Sequence, residues 1–168
     1  MSIVTSIKTE FNRRLYKENV WRIERVLDMI SEDEVWYKPN SSANSIGHLI
    51  LHLCGNVTQW IGSGVGKMED LRQRDLEFST EERVTKEELI RRLHTLRGVT
   101  DDALSQLEKD SDLMLPRAVQ GYDETVLSIL IHVIEHFSYH TGQIALIVKY
   151  LHGRDLGFYA GHDLNAKS

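Results

Sequence analysis

Residues 125–153 read TVLSILIHVIEHFSYHTGQIALIVKYLHG, a proline-free stretch with apolar side chains around most of a helical circumference. A helix that is apolar nearly all round is buried. The stretch therefore predicts the most buried member of an α-helical bundle, running from about Thr125 to His152 and stopped by Gly153. Within it His136 and His140 lie four residues apart. Their imidazoles project from one face, one turn apart, a spacing that can hold one metal ion.

The same spacing recurs upstream in Ile46-Gly47-His48-Leu49-Ile50-Leu51-His52-Leu53-Cys54-Gly55-Asn56. His48 and His52 here, with His132, His136 and His140 in residues 131–143, place five of the eight histidines in two short apolar segments. An imidazole buried without a partner costs about 1–3 kcal/mol. A shared metal ion would remove that cost for three of them, and two such helices packed together would make a three-His site. The competing reading is a buried histidine network without metal.

Outward from these segments, the punctuation is consistent with helices. Both prolines, Pro39 and Pro116, fall between helix-like patterns. Ile7, Phe11, Leu15, Ile23, Leu27 and Ile30 recur at helical spacing and predict one long amphipathic helix from about Ile3 to Ile30. Ser31-Glu32-Asp33-Glu34 and the loop at Pro39-Asn40-Ser41-Ser42 end it, and Asn44 or Ser45 can cap the next helix. That second helix is expected from about Ser45 to Ile61, broken by Gly62, Gly64 and Gly66 into a mobile loop that lacks the spacing of a phosphate loop.

The charged stretch from Glu69 to Arg83 reads as a solvated connection that can be partly helical, without chemistry. Thr85-Lys86-Glu87-Glu88 is a capping box for a third helix to about Glu108, burying Leu89, Leu93, Leu96, Val99, Ala103 and Leu107 and leaving His94 on the surface. Lys109 to Glu124 forms a loop that can include a short hairpin. The expected architecture is all-α, a four-helix bundle in one domain over residues 1–168, with the second and fourth helices close together.

Composition narrows the function classes. A net charge of −5 and a pI near 5.9 oppose nucleic acid or an anionic membrane as partner. The pairs Arg13-Arg14 and Arg91-Arg92 belong to solvated helix faces. No apolar run approaches the roughly 20 residues that span a bilayer, and the first residues lack signal-peptide organisation, so a cytoplasmic location is expected. The single cysteine, Cys54, excludes an intramolecular disulfide and any Cys-x-x-Cys motif. It lies about 200° around the helix from His52 and reads as a small core residue.

A neutral all-nitrogen triad suits zinc, nickel, iron or copper, with zinc favoured on availability. Phe137 rather than glutamate follows His136, which excludes the His-Glu-x-x-His metalloprotease pair. Ser138 stands three residues after Glu135, which excludes a di-iron Glu-x-x-His bundle. Spacing alone leaves two ligand sets open: His52, His136 and His140, or His48, His132 and His136 one turn lower.

Leu51-His52-Leu53-Cys54-Gly55-Asn56, followed by His136-x-x-x-His140-x-Gly142-Gln143 and the ending Gly153-Arg154-Asp155-Leu156-Gly157-Phe158-Tyr159, resembles the DinB-like (DinB/YfiT) metalloprotein superfamily of four-helix bundles over nearly the whole chain. The resemblance implies a DinB-like bundle in which His52, His136 and His140 bind the metal. His48 and His132, each one turn before a ligand, become residues that support the ligands or line the pocket, Gln143 faces the pocket or packs at the helix end, and Tyr139 and Trp60 are candidates to line the cavity. It also implies use of a low-molecular-weight thiol as cofactor or co-substrate.

From this follows the leading expectation, a metal-dependent thiol S-transferase acting on small electrophiles. The alternatives are a hydrolase using metal-bound hydroxide, weakened by the lack of an obvious carboxylate base, and a non-catalytic binding protein that the metal stabilises. A homodimer is expected from the helical surfaces left after bundle closure.

Overall fold

The computed structural model describes residues 2–79 and 83–167. The first long helix runs through Ile3–Asn12, Arg13–Val20 and Trp21–Met29 without interruption, its middle stretch wound as a π-helix. Ser2 caps it by accepting from the Thr5 amide, and the predicted stripe of Phe11, Leu15, Ile23 and Leu27 is fully buried. In the π-helical stretch the buried Asn19 amide donates to the Arg14 carbonyl at 2.9 Å. Arg13 and Arg14 pair with Glu10 in solvent, as the sequence implies. Ser31 does more than end the helix, because it and Glu34 form a reciprocal capping box on the single turn Glu32–Val35.

The second helix, Ile46–Val57, is capped by the Ser45 hydroxyl and continues as a π-helix over Thr58–Val65. The break expected at Gly62 does not occur. Gly62 and Gly64 are buried, and side chains there would press on Val99 and Met68 or on Ile129 and Val119. These glycines let neighbouring elements approach rather than release the chain into a loop. The third helix, Lys86–Ser105, starts at Thr85, whose hydroxyl accepts from the Glu88 amide. It buries Leu89, Leu93, Leu96 and Ala103, while His94 is exposed and pairs with Glu24.

A two-stranded antiparallel hairpin, Pro116–Val119 with Tyr122–Thr125, precedes the fourth helix. Its two turn residues, Gln120 and Gly121, both have positive φ, 53° and 81°, as a type I′ turn requires. Trp60 Nε1 donates to Gln120 Oε1 at 3.0 Å, joining the hairpin tip to the second helix. The fourth helix, Val126–His152, is capped by Thr125 and ends at Gly153 in the left-handed conformation, φ 60°. Residues from all four long helices share one hydrophobic core. The fold is a four-helix bundle, mainly helical with one small sheet. Among the described residues no helix is long and apolar enough to cross a membrane.

Candidate metal centre

The facing sides of the second and fourth helices bring His52, His136 and His140 together, with one nitrogen of each within 4.8 Å of the others. His52 Nε2 lies 3.0 Å from His136 Nε2, and His140 Nε2 lies 3.2 Å from that same atom. Ligand nitrogens about 2.0–2.1 Å from a tetrahedral zinc ion stand about 3.3 Å apart, so the spacing suits one ion.

The outer ring nitrogens add a chemical test of fit. His52 Nδ1 lies 2.8 Å from Glu77 Oε2, and His140 Nδ1 lies 2.7 Å from Gln143 Oε1. Both oxygens are acceptors, so both Nδ1 atoms carry hydrogen, and in the neutral rings both Nε2 atoms present lone pairs inward. His136 Nε2 can donate to only one of them. Lone pairs converging at this distance repel unless a cation lies between them. His136 Nδ1 is buried without a hydrogen-bond partner among the described residues.

Electrostatics keep the imidazoles ready for a cation. Burial, reinforced by His140 and His52 alongside, depresses His136 to about 3. Burial also lowers His140, partly offset by its bond to Gln143. Both are neutral at pH 7, the form that ligates metal. The three histidines could hold a divalent metal ion.

The remaining candidates fall in different places. His132 is sandwiched, its ring stacked on Trp60 at 3.8 Å and on His136 at 5.5 Å, with a buried Nε2 lacking a hydrogen-bond partner among the described residues. Trp60 is buried, so it walls the His132 side of the site. Tyr139 lies edge-on to His140 at 4.9 Å but is 63% exposed, at the rim rather than in a cavity. His48 turns elsewhere: its Nδ1 meets the Ser45 hydroxyl and its ring stands edge-on to Trp36 at 5.2 Å. The set His48, His132 and His136 is not brought together as a potential metal-binding cluster among the described residues.

Sequence reasoning missed Arg72 and Glu77, whose side chains are only 6% and 11% exposed. The stretch from Glu69 onward is not merely a solvated connection. It folds back so that Arg72 Nε and Nη2 grip Glu77 Oε1 and Oε2 at 2.7 and 2.9 Å, while Arg72 Nη1 donates to Gln59 Oε1 at 2.8 Å. Burial would raise the Glu77 carboxyl, but hydrogen bonds from His52 and Arg72 outweigh it and hold the group below its ordinary value. Phe78, next in sequence, packs on the His52 ring at 4.8 Å. The available sign was Gly55, a glycine inside a helix one turn beyond His52.

The fold is shared with solved structures at low identity. A DinB-like protein from Bacillus subtilis matches at 19% identity over 89% of this chain and 94% of its own, TM-score 0.63. A DinB-like protein from Bacillus cereus matches at 16% over 81% and 87%, TM-score 0.63. A conserved protein from Enterococcus faecalis matches at 16% over 92% and 99%, TM-score 0.68. The chain shares the four-helix-bundle fold of these DinB-like structures and carries a clustered histidine triad. The sequence has no significant match among curated proteins. Residues 4–159 match the family described as "Protein of unknown function (DUF1572)", and the chain belongs to that family.

Proposed function

We propose that His52, His136 and His140 bind one divalent metal ion, zinc favoured, and that the protein is a thiol S-transferase acting on small electrophiles. The observation that carries the metal reading is the convergence of three Nε2 atoms while the Nδ1 atoms of His52 and His140 are engaged by Glu77 and Gln143. Three nitrogen ligands leave a fourth position for an exogenous group. A divalent ion held by these three histidines would favour the thiolate of an incoming thiol near neutral pH. The use of a thiol rests on the DinB-like resemblance, since a fold alone assigns no reaction.

The chain's own residues supply position and shape. Gln143 holds the His140 ring, Trp60 and His132 form a stacked aromatic wall beside His136, and Tyr139 stands at the rim. In the transfer the thiol gives up its proton to solvent water. Its sulfur then bonds to the electrophilic carbon as the leaving group departs with the electron pair. A hydrolase is less well supported because Glu77 lies on the Nδ1 side of His52, clamped by Arg72, and Glu135 is exposed. Neither carboxylate is placed to serve a water at the fourth position.

The test is metal content by mass spectrometry on untagged protein purified without added metal. Conjugation assays then follow with bacillithiol, mycothiol and glutathione against a panel of electrophiles, with and without chelator. Chelator-sensitive conjugation is expected. Bound metal without conjugation to any thiol overturns the transferase reading. If metal removal then costs stability, the protein is a metal-stabilised binding protein.

A further inference from the structure

We propose that Glu77, clamped by Arg72, is a positioning residue that fixes the tautomer and direction of the His52 ring toward the metal. The inference rests on the metal reading above. A histidine binds metal through one nitrogen, and the partner of its other nitrogen decides which one that is. Glu77 Oε2, 2.8 Å from Nδ1, calls for the hydrogen there and leaves Nε2 directed at His136 Nε2, 3.0 Å away.

Two independent features show that the carboxylate has a built seat. A Cβ at Gly55 would come within 2.0 Å of Glu77 Oε1, so the helix leaves that space to the carboxylate. Both Glu77 oxygens accept from Arg72, and Arg72 is anchored through Gln59 to Asp70, whose Oδ2 accepts from Gln59 Nε2 at 2.8 Å. A buried ion pair contributes little net stability on average, so this one is better explained by what it orients. Arg72 Nη2 also lies 3.2 Å from His52 Nδ1. With hydrogen on Nδ1 both atoms are donors, and the guanidinium hydrogen goes to Glu77 Oε2. In the opposite tautomer Arg72 would be the donor to Nδ1.

The test uses the full chain stripped of metal and reloaded, with zinc affinity measured by chelator competition and cobalt(II) absorption as the spectroscopic readout. Wild-type protein is expected to bind one ion and His52→Ala to lose it. Glu77→Ala is expected to bind about 10–100-fold more weakly with an altered cobalt spectrum. Glu77→Gln, which keeps an acceptor oxygen, should lose less, and Gly55→Ala should behave like Glu77→Ala because it displaces the carboxylate. Unchanged affinity and spectrum in folded Glu77→Ala would overturn the positioning role and leave the metal reading standing. Wild-type protein that binds no metal, or His52→Ala that binds as wild type does, would overturn the metal reading and this inference with it. A nitrogen-15 correlation spectrum of the His52 ring in metal-free wild-type protein keeps the inference open to refutation even if the variants misfold: hydrogen on Nδ1 is expected, and hydrogen on Nε2 refutes it.

Discussion

Gln143 Oε1 accepts a hydrogen bond from His140 Nδ1 at 2.7 Å, so less than one turn of the fourth helix holds both an imidazole and the amide that orients it. Gln143 is half-buried and its loss leaves the core intact. Gln143→Ala is therefore expected to fold normally and to weaken metal binding about 10–100-fold. Gln143→Glu retains an acceptor and should keep most of the affinity. Chelator competition on the two variants checks both outcomes.

Metal loading is expected to stabilise the fold, by about 2.7 kcal/mol when free metal is 100 times its Kd. The increment should vanish in His52→Ala, His136→Ala and His140→Ala. His48→Ala behaves differently, because His48 is buried against Ser45 and Trp36 rather than in the triad. It should cost about 1–3 kcal/mol of stability yet retain stoichiometric metal. Thermal melts with and without added metal, paired with metal analysis, separate the two patterns.

Burial pushes the Cys54 thiol up to about 12. The thiolate is the reactive form, so almost none is present at pH 8. Cys54 in the folded protein should react with a disulfide reagent far more slowly than in denaturant. Cys54 is only half-buried, so rapid labelling without denaturant would show that its acidity is ordinary.

Tyr16 is buried in the first helix with its hydroxyl 2.6 Å from that of Thr100, and burial raises it to about 12. An unfolded tyrosine ionises near 10. Between these values the unfolded chain releases a proton that the folded one keeps, so this contribution is complete below pH 10 and is lost as pH rises toward 12. Stability should fall by about 1 kcal/mol per pH unit in that range. Urea melts at pH 9, 10 and 11 on wild type and Tyr16→Phe measure it, and the variant should show the smaller decline.

Helical period and caps made much of the bundle legible, because both are local. The stripe from Ile7 to Leu27, the Thr85 cap and the Gly153 stop depend on neighbours within a turn or two. Gly62 and Gly64 misled for the same reason. A glycine weakens a helix locally, whereas here packing against Val99 and Ile129 keeps the helix going.

The sequence by itself determined four helices and the shared face of His136 and His140, since a spacing of four residues on a helix leaves no choice of side. Spacing alone could not choose between His48 and His52, which have the same apolar surroundings and nearly the same face, and only the family resemblance pointed to His52. The physical basis is the rotation and height of the second helix against the fourth, which sends His52 to His136 and His48 to Trp36. Only the tertiary structure brought Glu77 to His52 across 25 residues of chain, because the contact depends on a folded-back segment and on the space above Gly55 rather than on any local period.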